Sequence, residues 1–167
     1  MTLSTKLNLK LESTQTNPLD LVTASAPLRY ARSLALASGV GSRQADRIWT
    51  DTRTLAASGT ENLDLAGSLV DAFGGSAVFA RVKAIVVAAA AGNTNNVNFI
   101  REATNGVPIF LAAGDGIPVQ PGGAFCWFTP SAAGVVVTAA TGDLLTVTNS
   151  GAGTPVTYDI IIVGASA

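Results

Sequence analysis

Apolar and polar positions alternate along much of the chain with a period of two, the repeat of a pleated strand. The pattern is clearest in the last stretch, Asp143–Ala167, DLLTVTNSGAGTPVTYDIIIVGASA. Leu144, Thr146 and Thr148 share one face, and Leu145 and Val147 the other. Further on, Val156, Tyr158, Ile160 and Ile162 oppose Thr157, Asp159, Ile161 and Val163. β-Branched residues dominate both runs, as strands favour. Asn149–Gly153 lies between them and tolerates positive φ, which predicts a hairpin with a loop longer than two residues. The IIIV ending is apolar on both faces and predicts a central strand covered on both sides.

The same reading extends to the rest of the chain. Residues 6–12, KLNLKLE, predict a half-buried edge strand with Leu7, Leu9 and Leu11 inward. Lys6, Asn8, Lys10 and Glu12 face out, and lysines on an edge discourage further pairing. Residues 1–5 read as a loose N-terminal arm, and STQTNP (13–18) as a turn. Pro27–Ala37 alternates and is expected to pair with Ala45–Thr54, with Arg and Asp side chains opposed. Glu61–Leu65 is a short strand, and Leu69–Phe73 a helical turn closed by Gly74 and Gly75. Ser76–Ala91 predicts the central strand of the middle third, with a helix as the alternative because its end is rich in alanine. Shorter strands follow at Val97–Ala103, Ile109–Ala112, Ile117–Val119, Ala124–Thr129 and Val135–Thr138. In the fourth of these, Phe125 and Trp127 oppose Cys126 and Phe128. Nine to eleven short strands divided by Gly, Pro or Asn predict an all-β fold. The expected architecture is a single-domain β-sandwich or jelly roll over residues 1–167, with a closed barrel as the alternative.

Composition narrows the function. Charged residues make up 13% of the 167, against about 25% in ordinary globular proteins. Thr, Ser, Asn, Gly and Ala must therefore cover the surface, and the net charge is −1. Near-neutral proteins associate readily, so an oligomer or assembly component is expected. Histidine is absent and Cys126 is the only cysteine. An intramolecular disulfide is excluded, and neither a metal site nor a cofactor is expected. The start, MTLSTKLNLK, lacks a secretory h-region. The longest apolar run, Ala84–Ala91, is far short of the roughly 20 residues that span a bilayer. A soluble protein made in a cytoplasm, with no membrane partner, is expected. The ten Lys and Arg are scattered, whereas nucleic-acid binding needs clustered positive charge.

Catalytic constellations are sparse. No His and no GxSxG elbow are present for a serine hydrolase. A Ser–Lys dyad would have to use Lys6, Lys10 or Lys83, each on an apparent strand where a solvated side chain is the simpler reading. Asp46, Asp51, Glu61 and Asp64 are candidate glycosidase carboxylates, which need a separation of about 5–9.5 Å in an aromatic groove. They can equally be surface charges facing Arg43, Arg47 or Arg53, and only 6% of residues are aromatic. Gly114-Asp115-Gly116 is a turn without the further oxygens that calcium requires. No enzymatic activity is expected. Trp49, Phe125, Trp127 and Phe128 are core candidates and, alternatively, interface anchors, since Trp is enriched at interface hot spots. Binding of a glycan through Trp49 or Trp127 is a third use.

Two stretches carry a resemblance: TLAASGTENLDLAGSLVDAFGGSAVFARVKAIVVAAAAGNTNN (54–96) and PGGAFCWFTPSAAG…TGDLLTVTNSGAGTPVTYDIIIVGAS (121–166). Their turns and alternation resemble those of small β-rich virion proteins of tailed bacteriophages, most of all capsid decoration or cement proteins. The resemblance implies a jelly-roll-like homodimer or homotrimer on the outer capsid surface, made in the bacterial host cytoplasm. Its partner would be the major capsid protein, and its role to brace the shell. A tail or baseplate accessory protein is the alternative. No functional residue carries over, because the resemblance has no motif to match by position.

Overall fold

The computed structural model describes residues 2–67 and 69–167. Its strands are β1 (Thr5–Pro18), β2 (Thr23–Ser38), β3 (Gln44–Ala45), β4 (Arg47–Leu55), β5 (Thr60–Asp64) and β6 (Arg81–Ala89). They continue with β7 (Val97–Arg101), β8 (Gly116–Val119), β9 (Ala124–Phe128), β10 (Val135–Val136), β11 (Leu144–Asn149) and β12 (Val156–Ala165). The fold is all-β, and no helix occurs among the described residues.

Two sheets form the body. One has the order β10-β6-β12-β4, with β9 also on β6; the other has the order β5-β11-β7-β8. Alternation decides which side chains meet between them. From the first sheet come Trp49, Leu55, Ile85, Val87, Val156, Tyr158, Ile160 and Ile162, and from the second Leu63, Val97, Phe99, Val119, Leu145 and Val147. All are buried in one core, the arrangement of a sandwich.

The terminal pair differs from the predicted hairpin. β11 pairs β5 and β7, whereas β12 pairs β4 and β6. The connection is an arch that crosses between the sheets, so the two apolar faces oppose one another instead of lying side by side. Asn149 holds the arch: its amide donates to Ala56 O at 2.9 Å and to Thr154 O at 2.7 Å. β12 is central, as expected, but it is not covered on both sides, because Ile161 stays exposed. β4 pairs β12 and not the Pro27–Ala37 run, which pairs β1.

Smaller corrections follow, and at 13–18 the reason is that exposed polar residues accept strand or loop geometry equally well. The expected turn at 13–18 is strand, and the reversal comes later, where Leu19 N–H donates to Val22 O at 2.9 Å. Pro18 fits at the strand's last position, where no donor is required. The expected helical turn at Leu69–Phe73 is instead a loop closed by a Val70–Ser76 bridge, in which Asp71 Oδ1 accepts the N–H groups of Phe73 and Gly75. Residues 109–112 are irregular and not a strand. Of the loose arm expected at 1–5, Met1 lies outside the described residues, Leu3 packs on a buried cluster, and Thr5 opens β1.

β1 and β2 form a hairpin paired from Thr5–Leu36 out to Pro18–Thr23. Only its root is buried. Leu34 and Leu36 join Ala45, Ala84 and Val163 in a second cluster, flanked by Leu3, Leu7 and Phe128. Ala84 and Val163 lie on the outer face of the five-stranded sheet, so the arm's root sits on the back of the sandwich. A bulge between Val163 and Gly164 pushes Lys83 toward this junction. The Lys83 side chain is buried, and its ammonium donates to the carbonyls of Ser131, Ala132 (2.7 Å) and Gly41 (3.4 Å). Burial, and then the charge of Arg81, hold it below the usual lysine range. Lys83 thus ties the loop after β2 to the loop after β9.

Candidate functional site

The hairpin arm has two unlike faces, set by its register. Leu7 stands opposite Leu34, Leu9 opposite Arg32, Leu11 opposite Tyr30, and Ser13 opposite Leu28. The other face carries Lys6, Asn8, Lys10 and Glu12 opposite Ala35, Ser33, Ala31 and Arg29, with Lys10 and Glu12 ion-paired at 2.9 Å. The apolar face starts in the buried root and runs into solvent. Leu9, Leu11, Leu28 and Tyr30 are 47%, 54%, 52% and 47% exposed, and Leu21 at the tip is 99% exposed. Covering these half-exposed side chains would contribute on the order of 1 kcal/mol each. A two-stranded ribbon alone is marginal in water. At about 3.3 Å per residue, the part beyond Leu9 extends roughly 30 Å.

A second bare surface lies on the outer face of the five-stranded sheet. Its register aligns Ile48 with Val163, Thr50 with Ile161 and Thr52 with Asp159, and then Ile161 with Val86 and Val86 with Cys126. The arm's root covers this face at Val163, Ala84 and Phe128. Past that point Thr50, Thr52, Ile161, Asp159, Cys126 and Ala124 are exposed, and Val86 and Ala88 half-buried. The surface is made mainly of threonines, alanines and the aliphatic Ile161 and Val86. Thr54 and Thr157 hydroxyls bond across it at 3.1 Å, and Thr52 donates to Asp159 Oδ1 at 2.6 Å. Cys126 is a free thiol on this face, and partial burial pushes its pKa up.

The four anchors chosen from sequence separate into three environments. Trp49 is 4% exposed and belongs to the core, so it presents no ring to a partner or a sugar. Phe125 and Trp127 face inward, half-buried against the same core; Phe125 lies 5.8 Å from Phe99 and 5.9 Å from Phe110, centroid to centroid. Phe128 faces outward beneath the arm's root.

The candidate catalytic groups are held by structural partners. Asp46 accepts from the Ser166 N–H and hydroxyl, and Asp51 pairs with Arg53 at 2.8 Å. Glu61 receives Tyr158 on one oxygen and Arg53 on the other, and Asp64 accepts the Ala66 N–H. Lys6 and Lys10 stand on the arm's polar face, and Lys83 meets backbone carbonyls. Among the described residues, no three His, Cys, Asp or Glu are placed to hold a metal ion.

Alternation alone places Leu9 and Leu11 inward, and so gives no sign of the arm. A detectable signal was the match in length between the two alternating runs around Leu19–Val22. No protein-family model, curated protein or solved structure matches this chain.

Proposed function

We propose that the chain is a structural virion protein that binds the outside of a bacteriophage capsid as a homo-oligomer and stabilises the shell. The observation that carries the oligomeric part is the projecting arm, whose apolar face from Leu9 outward is left exposed by the described residues of one chain. Apolar patches of this kind on otherwise polar proteins mark interaction surfaces. The capsid and its major protein enter through the resemblance of residues 54–96 and 121–166 to decoration proteins. A low charge and a surface of small residues suit close packing on a symmetric lattice, where many weak contacts act together.

The test has two parts. Light scattering of the purified protein at micromolar concentration is expected to give a dimer or trimer. Added to phage heads stripped of it, the protein is expected to bind in hundreds of copies per particle. A monomer that does not bind heads overturns the proposal. Binding in a few copies at the tail replaces the capsid role with that of a tail or baseplate accessory.

A further inference from the structure

We infer that the arm of one copy lies on the bare outer face of the five-stranded sheet of a second copy; this rests on the homo-oligomer proposed above. The first reason is continuity. Within one chain, Leu34, Leu36 and Leu7 at the root already sit on Ala84, Val163 and Phe128 of that same face. The arm's apolar face continues outward through Leu9, Leu11, Tyr30 and Leu28, and the sheet's outer face continues through Ile161, Val86, Thr50 and Cys126. Both continuations are exposed or half-exposed in the single chain, and they extend the two surfaces that already meet at the root.

Charge is the second reason. Arg32 is the one charged side chain on the arm's apolar face, and it makes no ion pair among the described residues. Asp159 is the one charged side chain on the bare part of the sheet face. Over the whole molecule, residues 5–38 carry four basic side chains (Lys6, Lys10, Arg29, Arg32) against two acidic ones (Glu12, Asp20). The rest carries six basic against nine acidic. A basic arm and an acidic body attract between copies and disfavour arm-on-arm stacking. Exchange of this kind closes as a reciprocal dimer or a ring of three, and it leaves no arm bare.

The natural Cys126 supplies the test. Ser13→Cys places a second thiol on the arm's apolar face with little change in size, and Thr14→Cys places one on the opposite face. The full-length variants are treated with a bismaleimide, and the linked peptides are identified by mass spectrometry. Mixing isotopically light and heavy protein reports whether a link joins two chains. Interchain 13–126 links are expected for Ser13→Cys, with at least tenfold fewer 14–126 links for Thr14→Cys. Independently, Arg32→Glu and Asp159→Arg are each expected to raise the dissociation constant about tenfold or more, and the double variant to recover it. An oligomer that forms with 13–13 links, or without 13–126 links, overturns the arm-on-sheet arrangement while leaving the oligomer intact. A wild-type chain that stays monomeric overturns both.

Discussion

Tyr158 of β12 reaches Glu61 of β5 across the two sheets, its hydroxyl donating to Oε1 at 2.7 Å. Arg53 holds the other carboxylate oxygen through Nε at 2.6 Å, and also pairs with Asp51. A fully buried phenol is thus tied to a charged acceptor that keeps its own cation. Burial first, and the carboxylate second, push the Tyr158 pKa well above its ordinary value, while Glu61 raises that of Arg53. Hydrogen bonds to charged groups are worth about 1.5–3 kcal/mol, and Tyr158→Phe is expected to lose about that much at pH 7. The linkage has a definite sign. The folded state keeps the phenolic proton while the unfolded chain releases it near pH 10, so this contribution is complete below about pH 10 and fades above it. Urea unfolding of wild type and Tyr158→Phe from pH 8 to 11 should show the gap narrowing at the alkaline end. A gap independent of pH would refute the coupling.

Lys83 is buried without a carboxylate, and its three acceptors lie on two loops. Lys83→Met keeps the aliphatic stem but removes the charged donor that these carbonyls share, and hydrogen bonds of a charged group are worth about 1.5–3 kcal/mol. The first of these loops folds back on the end of β2, where the Ala37 N–H donates to Arg43 O at 2.9 Å. Besides a lower urea midpoint, the variant should show faster amide exchange at Arg43, whose N–H donates to Pro130 O at 2.8 Å. A lower midpoint with unchanged exchange at Arg43 would mean that Lys83 does not join the loops.

Gly164 sits at the bulge, where a Cβ would collide with the Arg81 carbonyl and come within 2.7 Å of Phe79 Cδ1. Neither the backbone nor the buried ring can yield easily. Overpacking usually costs about 1–3 kcal/mol, and Gly164→Ala is expected at or above the top of that range. Gly153→Ala, with open space around its Cβ, is the control and should unfold within about 0.5 kcal/mol of wild type. Equal midpoints for the two variants would show that the bulge can relax.

Alternation made the body legible in the sequence. Leu63 with Leu65, Leu145 with Val147, and the Val156–Ile162 face are buried as the pattern required. The partner of each strand was not legible, because a period of two names a buried face but not a neighbour. β11 and β12 could satisfy their apolar faces as a hairpin or as an arch, and the difference rests on Asn149 bonding to Ala56, 93 positions away. The arm was hidden for the opposite reason. Leu9 and Leu11 carry the same pattern as core leucines, and nothing local distinguishes a face that meets its own chain from one left for another.

That distinction can be measured along the arm itself. Leu11 is exposed in the single chain and Leu34 is buried at the root, though both stand on one face of one hairpin. Leu11→Asp removes only half-exposed packing within the arm, opposite Tyr30 and outside the core, and surface changes of this kind usually stay within about 0.5 kcal/mol. Leu34→Ala opens a cavity, for which about 2–5 kcal/mol is typical. If the arm serves a second copy, Leu11→Asp should leave the unfolding midpoint of dilute, dissociated protein unchanged and raise the oligomer's dissociation constant tenfold or more by sedimentation. Leu34→Ala should lower the midpoint at every concentration. Should Leu11→Asp assemble like wild type, the arm's apolar face is not the surface that holds the copies together.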